Sequence, residues 1–171
     1  MKNIHWLVPY KINHNQDISN KNVASIRLRA GLFNLPCFND FTVSFNENIS
    51  DIDEIDYLFV GKFAGNREDL VNTWVEIINL HRGNGKKIFF DYTDHHLDKE
   101  TLAGQFYRAS LNSNDQIITS SEKLKNHLSP NFKNITIIED PIEIQIEKVK
   151  KVRNHHFYSL GIILISNIFS I

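Results

Sequence analysis

The stretch "KKIFFDYTDHH", Lys86 to His96, decides how the rest of the chain reads. Its first half is a short apolar run of the kind that forms a strand buried on both faces. Its second half sets two aspartates and two histidines within six residues, which a strand that only filled a core would not need. The run therefore predicts a strand over 87–93 that delivers polar groups to an edge of the molecule.

Working outward, similar apolar runs recur at intervals: "IHWLV" (4–8), "FTVSF" (41–45), "IDYLFVG" (55–61), "DQIITS" (115–120) and "NITIIEDP" (134–141). Between them lie segments with helical periodicity. Leu70, Val71, Trp74, Ile77 and Ile78 recur at three- and four-residue spacing and predict a helix over 67–80, ended by "GNG". "NVASIRLRAGLFNL" (22–35), "DKETLAGQFYRASL" (98–111) and "SSEKLKNHL" (120–128) read as further helices. Thr119-Ser120-Ser121-Glu122 fits a capping box at the last of these. Strands alternating with helices imply crossover connections and a mainly parallel sheet. The fold class is α/β, a Rossmann-like open sheet with helices on both faces.

In such sheets ligands bind beyond the carboxyl ends of the strands. That rule gathers Asp91, Asp94, His95 and His96 after the fourth strand and Ser120, Ser121 and Glu122 after the fifth. Glu139 and Asp140 end the sixth, and Pro9 to His14 follow the first. Asp94 and His95 have chemistry suited to a general base or a substrate hydrogen bond near neutral pH, although Asp94 equally suits an Asx-turn. His95 and His96 are adjacent and point apart, and no H-x-x-x-H-type spacing accompanies them, so no metal site is read here. Arg27 and Arg29, placed in the first turns of their helix, would favour an anion such as a phosphate; the alternative is that they extend into solvent. No G-x-G-x-x-G, P-loop or G-x-S-x-G motif is present, which argues against dehydrogenase, P-loop hydrolase and α/β-hydrolase chemistry.

Composition agrees with a soluble enzyme or binding domain. The 171 residues are 42% hydrophobic and 23% charged, with a net charge of -1 that gives no general attraction to nucleic acid. Cys37 is the single cysteine, as suits a reducing cytoplasm. The N-terminus lacks the features of a signal peptide. Near the C-terminus, Lys148, Lys150, Lys151 and Arg153 form a basic segment (148–153) suited to peripheral contact with an anionic inner membrane face. The apolar tail 157–171 is shorter than the ~20 residues a membrane span needs.

Several of these segments resemble, in order, the N-terminal acceptor-side domain of a GT-B glycosyltransferase of the group 1 and 4 kind. "ASIRLRAGLF" is similar to an S-x-R-x-R helix that follows the first strand, and "KKIFFDYTDHHL" to the strand ending in an Asp-containing acceptor loop. "NSNDQIITSSEKLKNHL" resembles the strand that runs into a Ser-Glu helix, and "NITIIEDPIE" the strand before the interdomain linker. Asp140-Pro141-Ile142-Glu143 stands where many members carry an Asn-Gly-Val-Asp type sequence. The resemblance implies transfer of a sugar from a nucleotide sugar to a glycan or lipid-linked acceptor, with no cofactor and no essential metal. It places Asp94 or His95 against the acceptor hydroxyl and Arg27 near phosphates or an anionic acceptor, with Ser120, Ser121 and Glu122 bordering the cleft. On this reading residues 1–145 form the domain, and 146–171 a linker and the incomplete start of a second one. The E-x-x-E-type donor region is lacking, so the sequence given is expected to be inactive alone. A non-enzymatic Rossmann-like module that binds a ligand or partner is the competing reading, and a membrane-attached accessory protein a third.

Overall fold

The computed structural model describes residues 1–13, 29, 40–63 and 66–139. They form a six-stranded, wholly parallel sheet in the order β2-β1-β3-β4-β5-β6. Its strands are β1 (Lys2–Leu7), β2 (Phe41–Asn46), β3 (Tyr57–Val60), β4 (Lys87–Asp91), β5 (Gln116–Thr119) and β6 (Ile135–Ile137). The chain steps from β1 outward to β2, returns past β1 to β3, and then proceeds in the other direction. The order therefore reverses between β1 and β3, the place where open α/β sheets open a crevice.

Alternation along the strands splits the core into two layers. Leu58, Val60, Ile88 and Phe90 face one side, where α1 (Glu68–Gly83), α2 (Leu102–Ser110) and α3 (Glu122–Leu128) cover them. Trp6, Phe59 and Phe89 face the other side, in register across β1, β3 and β4. Their rings form a ladder with centroids 4.9 and 4.7 Å apart. Aromatic pairs of this kind add about 0.5–1.5 kcal/mol each beyond the area they bury. The described helices all pack on the first side. The predicted helix at 22–35 lies outside the described residues apart from Arg29, as does the segment 140–171.

α1 buries Leu70, Trp74 and Ile78 on one stripe, as its spacing predicts, and continues to Gly83. Its end is a Schellman turn: Gly85 takes φ +70 and donates to the Arg82 carbonyl at 2.9 Å, while Lys86 donates to the His81 carbonyl at 3.3 Å. α2 starts four residues later than the sequence suggests, because Thr101 accepts from the Gly104 amide at 3.2 Å and fixes the N-cap there. The expected capping box before α3 does not form. Thr119 is a fully buried strand residue, and Ser121 caps the helix instead by accepting from the Leu124 amide. Glu122 is thus the first helical residue, where its charge still favours the positive end of the helix.

No described helix is long and apolar enough to cross a membrane.

Candidate functional site

The carboxyl rim of the sheet is built from the segments that follow β3, β4 and β5. Gly61, directly after β3, donates to the Leu7 carbonyl at 3.0 Å, and a Cβ there would lie 2.6 Å from that oxygen and from Trp6 Nε1. Glycine lets the β3 end close against β1, which brings the next residue, Lys62, to the point where the strand order reverses. There Lys62 pairs with Asp94 of the β4 turn. Its ammonium holds the Asp94 carboxyl below the ordinary carboxylate range, so Asp94 is an anion at neutral pH while remaining half exposed. The rim therefore offers an adjacent hydrogen-bond acceptor and donor of opposite charge.

Tyr92, fully buried, organises the β4 turn. Its hydroxyl oxygen accepts from the His96 amide at 2.7 Å and the Leu97 amide at 3.1 Å. Burial raises the Tyr92 pKa, so the phenol stays protonated. The two histidines diverge as their adjacency requires. His96 lies between aromatic rings, parallel to Tyr107 at 5.7 Å and edge-on to Tyr92, and burial lowers its pKa. His95 instead turns outward, with Nε2 2.9 Å from Asp98 Oδ2 and Nδ1 3.4 Å from the Tyr92 hydroxyl. Asp98 and Tyr92 thereby fix the orientation of the His95 ring from its two nitrogens.

α2 braces this turn from behind. Arg108 donates from Nη1 to the Leu97 and Lys99 carbonyls at 2.8 and 2.9 Å. A Cβ on Gly104 would sit 2.0 Å from the Lys99 oxygen and 2.7 Å from the His96 oxygen. Gly104→Ala is therefore expected to displace residues 96–99 and to destabilise the domain by about 1–3 kcal/mol. Urea unfolding together with histidine ring shifts in NMR spectra checks this, and an unchanged His95 environment would count against it.

Of the residues singled out by sequence, Asp94, His95 and Ser120 stand on this rim; Ser120 Oγ donates to the Thr93 carbonyl at 3.4 Å and links the β5 and β4 ends. Ser121 is engaged as the α3 cap and Glu122 is exposed beside it. Arg27, His14 and Asp140 lie outside the described residues. Arg29 does not reach solvent. It is buried, pairing through Nη1 with Asp91 Oδ1 at 2.8 Å and donating from Nη2 to the Ile138 carbonyl at 2.6 Å. Asp91, which the strand-end rule gathers with Asp94 and His95, is its equally buried partner. One of the two arginines expected to attract an anion is thus a structural tie across the sheet end.

Sequence reading missed Lys62, Asp98 and His127. Lys62 was within reach, since the carboxyl-end rule applied to β3 points to the residue after Gly61. His127 Nε2 lies 3.3 Å from Asp98 Oδ2 but 29 residues away in the chain, a separation that no local motif bridges. No family model, no curated protein and no solved structure matches this chain.

Proposed function

We propose that this chain is the acceptor-side domain of a glycosyltransferase, part of an enzyme that moves a sugar from a nucleotide-sugar donor to a hydroxyl of a glycan or lipid-linked acceptor. The observation that carries the reading is the Lys62–Asp94 pair at the sheet's reversal point, on the same rim as His95 and Ser120. A sugar hydroxyl both donates and accepts, so a carboxylate and an ammonium side by side match it. Asp94 would accept the hydrogen bond from the attacking hydroxyl and, as transfer proceeds, its proton; Lys62 would hold a neighbouring oxygen. The depressed Asp94 pKa keeps the group ionised and ready to accept a hydrogen bond, but makes it a weak base. In-line placement of the hydroxyl would then contribute more than proton abstraction.

A glycan array probed with the full chain tests this. The expected result is binding to a restricted set of glycans that falls at least about tenfold in Asp94→Ala and in Lys62→Ala, as loss of a charged hydrogen-bond partner implies. An array with no bound glycan, or with binding indifferent to both substitutions, would sink the proposal. Binding of a non-carbohydrate ligand at this rim without turnover would favour the ligand-binding module instead.

A further inference from the structure

Beside the rim, three potential ligands converge from two elements. His95 and Asp98 come from the β4 turn and His127 from α3. The His95, Asp98 and His127 ligand atoms all lie within 4.8 Å of one another, and the His95 and His127 ring centroids are 3.9 Å apart. Both Nε2 atoms point at a single carboxylate oxygen, at 2.9 and 3.3 Å. A tetrahedral ion with bonds of about 2.0–2.2 Å needs ligand atoms separated by roughly 3.3 Å, so the three donors stand close to a coordinating arrangement.

We infer that His95, Asp98 and His127 form a binding site for a divalent first-row transition ion of the zinc class. The donor set selects the ion: imidazole nitrogen with one carboxylate suits zinc and its neighbours, whereas magnesium and calcium prefer oxygen alone. Three protein ligands leave at least one position for solvent or for an oxygen of a bound molecule. The turn is held independently of any ion, by the Tyr92 hydroxyl accepting two of its amides and by Arg108 donating to two of its carbonyls. Tyr92 is also the outer partner of His95: its hydroxyl lies 3.4 Å from Nδ1 and orients the ring so that Nε2 is directed at the place of the metal. On binding, each Nε2 proton now directed at Asp98 moves to Nδ1 or to solvent. The inference does not rest on the sugar-transfer reading, and a bound ion would withdraw His95 from service as a base.

The test is titration of the metal-free, untagged full chain with Zn²⁺ by calorimetry and with Co²⁺ by visible absorption. The expected result is one saturable site of micromolar affinity and the intense visible bands of low-coordinate Co²⁺. Asp98→Ala and His127→Ala, both at exposed positions, should each weaken binding at least about tenfold with an unchanged far-ultraviolet dichroism spectrum. Absence of saturable binding would overturn the inference and leave an Asp98-centred hydrogen-bond cluster. So would binding of equal strength in both variants, which would put the ion at other histidines such as His155 and His156.

Discussion

Asp91→Ala is expected to lower the unfolding free energy by about 3–5 kcal/mol, the usual penalty for removing one partner of a buried ion pair. The loss exceeds that of a surface bridge because both groups are dry: Arg29 is 4% and Asp91 2% exposed. Without the carboxylate, the guanidinium would keep its bond to the Ile138 carbonyl but lose the charge that faces it at 2.8 Å. Asp91→Asn keeps the shape and one acceptor oxygen and should cost less. Pairing Asp91→Leu with Arg29→Met should recover most of the loss, since replacing both charges with apolar groups is often neutral. Urea denaturation of the parent and the three variants at neutral pH measures the set. A single-substitution cost below about 1 kcal/mol, the range of an exposed pair, would show that the pair does not secure the sheet end. The pair also has a positional consequence. By joining the β4 end to the residue after β6, it fixes the strand from which Asp94 and His95 depart.

The sheet was legible because its signal is local. "YLFV", "KIFF" and "QIIT" are apolar on both faces, and only a strand covered on both sides uses such a run. Element ends were less so, since they depend on partners far off in the chain. β4 stops at Asp91 rather than Thr93 because the Tyr92 side chain turns to gather the following amides, although its own amide still bonds to Ile118. α2 waits for Thr101 while Asp98 is drawn to two histidines. The rim rule placed Asp94, His95 and Ser120 correctly from strand order alone. It could not show that Arg29 is bonded to a residue 62 positions away, nor that Asp94 has Lys62 beside it. Those facts live in packing. His81 illustrates the same limit: in sequence it is a basic residue in the last turn of α1, which favours the negative end of the helix, yet the fold buries it completely.

That burial predicts pronounced acid lability between about pH 6.5 and pH 4, the window set by His5 and His81. Burial is the chief cause that lowers each to about 4 from the ordinary 6.5. Around His5, the Ser44 hydroxyl lies 2.8 Å from Nδ1, the Asn46 backbone partly opposes the shift, and His81 reinforces it. Around His81, Lys86 adds repulsion and the Lys87 backbone opposes only in part; neither ring nitrogen makes a hydrogen bond among the described residues. Because the folded-state pKa values lie below the unfolded ones, the unfolded chain takes up protons first as the pH falls. The contribution to stability is complete above pH 6.5 and is lost progressively towards pH 4. Each histidine is worth about 1–2 kcal/mol between pH 7 and pH 5 at 1.36 kcal/mol per unit, after allowance for solvent reaching a ring near the surface. His96, lowered by burial, acts in the same direction. Asp56 and Asp94, held low by the Asn3 amide and by Lys62 respectively, stabilise the fold above their ordinary 3.8, and that share is lost only as the pH falls below it, outside this window. His81→Leu removes one of the titrating groups and two unsatisfied nitrogens, so it should raise stability at pH 5 relative to the parent and reduce the difference between pH 7 and pH 5 by about 1–2 kcal/mol. Chemical denaturation of both proteins across that range measures the slopes directly. If the two slopes coincide, His81 is protonated in the folded protein as readily as in the unfolded chain, and its burial does not govern the acid limb.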